Sequence, residues 1–245
     1  MESNHTIQAR EAKPGEEKAL YELYLKSITA NPEVTTPMIF GSLQNRYGPT
    51  LIWIFYMLTT IGMYFFLRNY RLKSPFFYTS IIQAGFYGII FGVLLPKAFN
   101  LKHRQIFGGL ARKLYLQHDE QSKSAHPIAV VVVDKQTKKE TIVGCGVVCP
   151  KTDSGKRDGE PKKSADLKCV AVADKMKRLG FEAEVIKQAI AICRKEKYDS
   201  LSLLANPADE FLAARLKELD FAPSRSYNLG YSYLPCYFQE YKAFM

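Results

Sequence analysis

Five cysteines (Cys145, Cys149, Cys169, Cys193, Cys236) and four histidines (His5, His103, His118, His126) are the side chains here that could bind a metal or do sulfur chemistry. Their spacing argues against both. There is no Cys-x-x-Cys, and the nearest pair, Cys145 and Cys149, lies in an alternating apolar stretch that predicts a strand. Four steps along a strand span about 13 Å, too far for one tetrahedral ion or a disulfide. The odd, scattered set reads as small buried hydrophobes in a reducing compartment. The histidines show no ligand spacing, so no metal is expected. Oxygen chemistry is the other possibility. Asp174 follows a predicted strand, Asp166 and Glu140 stand behind it, and Tyr227, Tyr231 and Tyr233 lie near the C-terminus. A carboxylate can accept a proton and a phenol can donate one. Each is equally an ordinary solvated carboxylate or strand tyrosine taken singly. The elements that would position them decide the matter.

The 245 residues are 47% hydrophobic and 24% charged, with 34 basic against 24 acidic side chains and a net charge of +10. This excludes a disordered chain, a collagen and a disulfide scaffold. The apolar residues are concentrated in two runs. Tyr47–Leu67 and Phe76–Leu95 carry no charge at all. At 1.5 Å per residue each spans roughly 30 Å, the thickness of a bilayer core, and hydrocarbon favours helices because they pair every backbone amide internally. Pro49 falls in the first turn, where its missing N–H does no harm. Tyr47, Trp53, Tyr70 and Tyr78 lie near the ends, at headgroup level. The short connection from Arg68 to Pro75 makes the two helices antiparallel neighbours, and Gly62, Gly88 and Gly92 offer small surfaces for close packing.

An even number of spans leaves both flanks on one side. Arg46, Lys97, Lys102, Arg104, Arg112 and Lys113 flank the hairpin, against Arg68, Arg71 and Lys73 in its loop. That bias predicts cytosolic flanks and both termini in the cytosol. The excess positive charge is then assigned to an anionic lipid bilayer surface, and nucleic acid is not expected because no aromatic-basic binding motif accompanies it. The polar N-terminal stretch Met1–Ala19 contains no apolar run of the kind a cleaved signal needs.

The rest of the sequence predicts a mixed α/β pattern. Ile7–Ala12 is a strand, and Pro14-Gly15-Glu16-Glu17 opens a helix with Leu20, Leu23, Tyr24 and Ser27 on one face. After the hairpin come a helix over 105–117, strands over 128–133 and 141–148, and a charged solvated loop over 151–165. A strand over 167–172, a helix over 180–194, a strand over 200–204, a helix over 208–219 and a closing strand over 226–234 complete the order. The division implied is 1–45 (first strand and helix), 46–97 (transmembrane hairpin) and 98–245 (remainder of the α/β domain).

That order, together with the segment from Val170 to Ile186 (VAVADKMKRLGFEAEVI), resembles the GNAT superfamily of acyl-CoA-dependent N-acetyltransferases. A hydrophobic hairpin between the first helix and the central strands further resembles the membrane-bound branch that contains the cysteine-conjugate and aspartate N-acetyltransferases of the endoplasmic reticulum. The resemblance implies a GNAT-like mixed sheet flanked by helices, acetyl-CoA as cofactor, and residence in the endoplasmic reticulum membrane. It places Lys177, Arg178, Leu179, Gly180, Phe181 and Glu182 at the phosphate-holding turn, where unpaired N–H groups and the helix dipole receive the diphosphate. Glu182 departs from the family pattern, which has a small residue there. The backbone of Val170 and Val172 is implied to pair with pantetheine, and Asn206 is either a ligand contact or a turn residue before Pro207. Leu216 stands where the family carries a tyrosine acid, and Asp220 where it carries glycine. Asp174 as base and Tyr231 as acid are the substitutes expected.

Two functions follow. One is a membrane-anchored, acetyl-CoA-dependent N-acetyltransferase-like protein acting on an amine at the cytosolic face. The other is a catalytically degenerate subunit of the same fold that serves as an interaction component of a membrane-protein complex.

Overall fold

Successive side chains of a strand point to opposite faces, so a strand that is apolar on both needs cover on each side. Ile128 and Val130 alternate with Ala129 and Val131 in one strand here, and all four are fully buried. The computed structural model describes residues 5–30, 36–69, 75–116, 124–151, 163–206, 210–230 and 236–245. It contains β1 (His5–Glu11), α1 (Glu17–Ala30), α2 (Thr36–Asn69), α3 (Pro75–Ile89), a π-helical turn (Ile90–Leu94) and α4 (Leu95–Leu116). Then come β2 (His126–Asp134), β3 (Glu140–Lys151), β4 (Ser164–Val172), a 3₁₀ turn (Asp174–Leu179), α5 (Phe181–Lys195) and β5 (Ser200–Ala205). The chain ends with α6 (Glu210–Glu218), β6 (Ala222–Asn228) and β7 (Tyr237–Phe244).

The strands form one mixed sheet in the order β1-β2-β3-β4-β5-β7-β6. β4 and β5 run parallel, while β1–β2, β2–β3, β3–β4 and β5–β7 are antiparallel. This is the helix-flanked α/β sheet expected from the sequence. One strand differs. The expected closing strand over 226–234 is replaced by β6, ending at Asn228, and by β7, which inserts between β5 and β6. Tyr237–Phe244 mixes aromatic with charged residues because its outer positions are only half covered, which hides its two-residue period. The 151–165 loop is also shorter than expected, since Lys151 ends β3 and Ser164 opens β4; residues 152–162 lie outside the described part.

The chain divides into two compact units, one of Met1–Glu33, Arg104–Tyr227 and Phe238–Met245, the other of Val34–His103 and Asn228–Tyr237. In the first unit, α5 and α6 cover one sheet face through Phe181, Val185, Ile186, Ile192 and Leu216 against Leu167, Leu201 and Leu203. On the other face Leu20, Tyr24 and Ile28 of α1 and Ala111 and Tyr115 of α4 pack on Val131, Cys145, Val147 and Ala171. All five cysteines are free and buried. Burial pushes the Cys145 thiol up to about 12 and the Cys149 thiol up to about 11, so neither is a thiolate at neutral pH.

At the open end of this sheet Arg10 bridges Glu16 at 2.7 Å and Glu140 at 2.8 Å, and Lys13 reaches Glu140 at 3.0 Å. The Arg10 guanidinium holds the Glu16 carboxyl below its ordinary value of 4.5. A carboxyl lowered by folding stabilises the native state above its unfolded value, and the contribution disappears as pH falls through the folded one. The urea midpoint should therefore drop on acidification below about pH 4.5, and Glu16→Gln should flatten that part of the profile.

In the second unit the two charge-free runs are helical and extend beyond their expected limits of 47–67 and 76–95. Helix α2 begins at Thr36 and is broken at Gly48 (φ 73°, ψ 156°), so Pro49 opens a fresh helical turn. Helix α3 is followed by the π turn and α4, and the separate helix expected over 105–117 is the C-terminal part of α4. The Leu95 N–H closes the wide turn on the Ile90 carbonyl, immediately before Pro96, whose ring would clash in a regular turn. Gly62, Gly88 and Gly92 do not mediate close contact, since open space surrounds the place a Cβ would occupy. Polar side chains join the helices instead. Thr59 meets the Tyr87 hydroxyl at 2.6 Å, and Gln83 accepts from Thr60 at 2.9 Å while donating to Thr59 at 3.1 Å.

Gln83 and Thr79 are buried while Trp53, Leu58, Phe66 and Phe77 are more than half exposed, an inside-out pattern for water. Both helices, Tyr47–Asn69 and Phe77–Leu116, are long and apolar enough to cross a membrane. Gln83→Leu should cost the hairpin about 0.6–2 kcal/mol, read as a lower thermal midpoint in detergent. The loss stays modest because Thr59 and Thr60 keep acceptors at the Tyr56 carbonyl.

Candidate functional site

Parallel pairing between β4 and β5 runs from Ser164↔Ser200 to Leu167↔Leu203 and stops there, although both strands continue. The cause lies on the other side of β4. Cys145 pairs with Ala171 and Val147 with Lys168, so Gly146 alone faces both Cys169 and Val170. Cys169 takes the left-handed conformation (φ 54°) that this bulge needs. A bulge bends its strand and increases the local twist, here carrying the end of β4 away from β5. Gly146 is required opposite it, because a Cβ there would stand 2.7 Å from Val185 Cγ1 of α5.

Beyond the bulge the Ala173 N–H donates to the Val143 carbonyl at 2.8 Å, toward β3. Strand alternation therefore turns the N–H and C=O of Val172 the other way, into the split, and Val170 lies on that same side. Val172 is buried and Val170 half-buried. Across the split, Asn206 follows β5, is 9% exposed, and sits four residues before α6 begins.

At the mouth of the split the chain passes through the 3₁₀ turn and Gly180 (φ 76°, ψ 25°) into α5. Gly180, as its N-cap, offers no side-chain cap. The Ala183 N–H returns to the Gly180 carbonyl at 3.0 Å, and the preceding backbone N–H groups of the turn carry the positive end of the helix dipole. Phe181 anchors the turn in the core and Leu179 is 67% exposed. Lys177 and Arg178 lie in the 3₁₀ turn, and their side chains are outside the described part. Glu182 and Glu184 occupy the first turn of α5, with Glu184 held by Lys187 at 2.8 Å.

Arg215 was not anticipated. Its guanidinium lies about 4 Å from the position a Gly180 Cβ would take, with Nη2 at 3.6 Å, and it is tied to Glu218 at 2.7 Å. It places a guanidinium, itself paired with Glu218, beside the Gly180 turn whose helix carries Glu182 in its first turn. No local sequence signal marks it, because only the packing of α6 beside α5 brings it there.

The predicted proton carriers separate. Asp174 opens the 3₁₀ turn, exposed, at the mouth of the split. Glu140 is held by Arg10 and Lys13 at the far end of β3. Asp166 pairs with Ser202 just before the split, within 3.6 Å of both Lys151 and Lys168. Leu216 is fully buried in the core, so it replaces the expected tyrosine as packing. Tyr227 is on β6, whereas Tyr231 and Tyr233 lie outside the described residues. Among the described residues no group of three His, Cys, Asp or Glu side chains converges as a metal site would require.

The pieces that fit a coenzyme A thioester are thus an unpaired strand edge, a glycine turn at its mouth and a nearby guanidinium; the one that opposes it is Glu182. No family model matches this chain, and no curated protein matches it by sequence. Solved structures with a similar arrangement include a protein of Acinetobacter baylyi given as a candidate acetyltransferase, 10% identical, with a TM-score of 0.49 over 98% of this chain and 94% of that one. A structure of the NatC complex bound to Gag peptide and CoA is 14% identical, with a TM-score of 0.43 over 56% of this chain and 79% of that one. A GNAT family acetyltransferase from Elizabethkingia anophelis with acetyl-CoA bound is 14% identical, with a TM-score of 0.37 over 52% and 80% of the two chains.

Proposed function

We propose that this chain is a membrane-anchored, acetyl-CoA-dependent N-acetyltransferase-like protein that transfers acetyl to an amine at the cytosolic face of the endoplasmic reticulum membrane. The split between β4 and β5, opening onto the Gly180 turn, is the observation that carries this reading. Val172 and Val170 present backbone donors and acceptors at the spacing of a strand, which suits the amides of a pantetheine arm. Leu179, Gly180 and Phe181 present backbone N–H groups at a helix N-terminus to the diphosphate, with Lys177, Arg178 and Arg215 adding positive charge. Asn206 stands on the opposite lip. The cofactor, once bound, supplies an activated acetyl thioester. A donor on the β4 edge then meets the developing oxyanion, and Asp174 and Tyr231 remain the proton carriers proposed from the sequence.

Anchoring is supported by the outward-facing apolar side chains of α2 and α3 and by their buried polar seam. The bias of six flanking positive charges against three in the hairpin loop supports cytosolic flanks and termini. On this reading the hairpin, 46–97, is an insertion between the first strand and helix, 1–45, and the remainder of the α/β domain, 98–245.

Fully buried Leu216 and the first-turn Glu182 favour a second reading, a catalytically degenerate subunit of a membrane-protein complex. The two separate by titration calorimetry of acetyl-CoA into the full-length protein in mild detergent. Micromolar binding is expected. Absence of heat at millimolar cofactor, with a stoichiometric partner co-purifying, would transfer the assignment to the subunit reading.

A further inference from the structure

Leu167, Leu201 and Leu203 point toward α5, so Asp166 and Ser202 face the opposite side of the sheet, and so does Glu240, which pairs with Leu204. Glu240 therefore stands one step past Leu203, where β4 and β5 part company. Its side chain is 9% exposed. One oxygen, Oε1, lies 3.1 Å from Lys151 Nζ, and the other accepts from the Tyr227 hydroxyl at 3.4 Å. The same Lys151 ammonium reaches Asp166 Oδ1 at 3.6 Å, which draws the Glu240 carboxylate back over β5 toward β4 and the closed end of the split. A single primary ammonium thus sits between two carboxylates beneath the point where an acetyl group in the split would emerge.

Resting on the reading above, we propose that Glu240 takes the proton of the acceptor amine, and that Lys151 occupies the acceptor's place until it arrives. The proton moves from the incoming alkylammonium to Glu240 Oε1 and on to solvent; the neutral amine attacks the thioester carbon, the C–N bond forms as the C–S bond breaks, and the departing thiolate takes the second nitrogen proton to leave as the free thiol. Asp166 holds the ammonium from the β4 side, and the Tyr227 hydroxyl fixes the Glu240 carboxylate in place. The acceptor belongs to the class of primary alkylamines, because Lys151 is itself one. Asp174, at the other end of the split, would then be a surface carboxylate.

The experiment uses the full chain in detergent, with n-butylamine as probe. In the cofactor-free protein, ligand-observed saturation-transfer spectroscopy should show butylammonium binding strengthened at least several-fold by Lys151→Met, which vacates the seat, and lost in Lys151→Met/Glu240→Gln. With acetyl-CoA present, Glu240→Gln should bind the cofactor as the parent does, while thiol release falls about 10²–10⁴-fold. Equal butylammonium binding in the parent and both variants would overturn the proposal, as would undiminished thiol release in Glu240→Gln. Failure of acetyl-CoA to bind the parent would instead refute the acetyltransferase reading, and the cofactor-free measurement would still decide for or against the acceptor seat.

Discussion

Gly180→Asp should abolish acetyl-CoA binding while the sheet remains folded. Gly180 sits at φ 76°, where a Cβ costs about 1–2 kcal/mol for most residues and less for aspartate. Folding therefore survives. The cofactor site does not, for two reasons. The new carboxylate joins Glu182 and Glu184 at the helix terminus proposed to receive the diphosphate. Its Cβ would also stand about 4 Å from the Arg215 guanidinium, close enough for the carboxylate to hold that cation as an internal ion pair. Hydrogen bonds to charged groups are worth about 1.5–3 kcal/mol each, so losing two corresponds to roughly 100-fold or more in affinity. Gly180→Ala keeps the charge balance and should lose much less. Calorimetry reads the affinity and circular dichroism the fold, and parent-like binding by Gly180→Asp would remove the turn from the site.

The second large effect is expected at Gly146. Its missing side chain admits Val185, and even Gly146→Ala would place a methyl 2.7 Å from Val185 Cγ1. Valine in a helix holds one χ1 rotamer in most instances and cannot rotate away. Both residues are enclosed by the Leu167 and Ile186 core, so the strain falls on β3 or α5. Overpacking of this kind costs about 1–3 kcal/mol, which in a chain of this size lowers the melting temperature by roughly 2–4 °C per kcal/mol. Val185→Ala alone should also destabilise by leaving a cavity. The Gly146→Ala/Val185→Ala pair should recover part of the loss, because the alanine methyl then fills space that Val185 vacated. Additive losses in the double variant would refute this account. The same clash opposes the bulge at Cys169, so the split and the core share one constraint.

Much of the architecture is legible in the residues. The two charge-free runs announce long apolar helices, and alternation in 128–133 and 141–148 announces the central strands, since burial on a periodic element must repeat with its period. The buried, unpaired state of the cysteines also follows from spacing alone. The β7 strand escaped because its mixed aromatic and charged residues reflect a half-covered position that exists only after β5 is in place. Glu240 escaped with it.

The candidate site divides in the same way. A glycine between a basic turn and an amphipathic helix marks the turn proposed to hold phosphate, because left-handed backbone is a local requirement that selects its residue locally. The split itself has no such mark. It depends on two β4 residues facing one on β3, a register determined by the pairing of segments about 20 positions apart. Arg215 beside Gly180, and Lys151 between Asp166 and Glu240, likewise join residues from separate elements across the fold. By itself the sequence determined the elements, the apolar hairpin and the glycine turn, since hydrophobic period and backbone freedom are properties of neighbouring residues. Only the tertiary structure decided where the sheet opens and which charges meet there, since a bulge, a strand insertion and an ion pair are properties of surfaces that come together on folding.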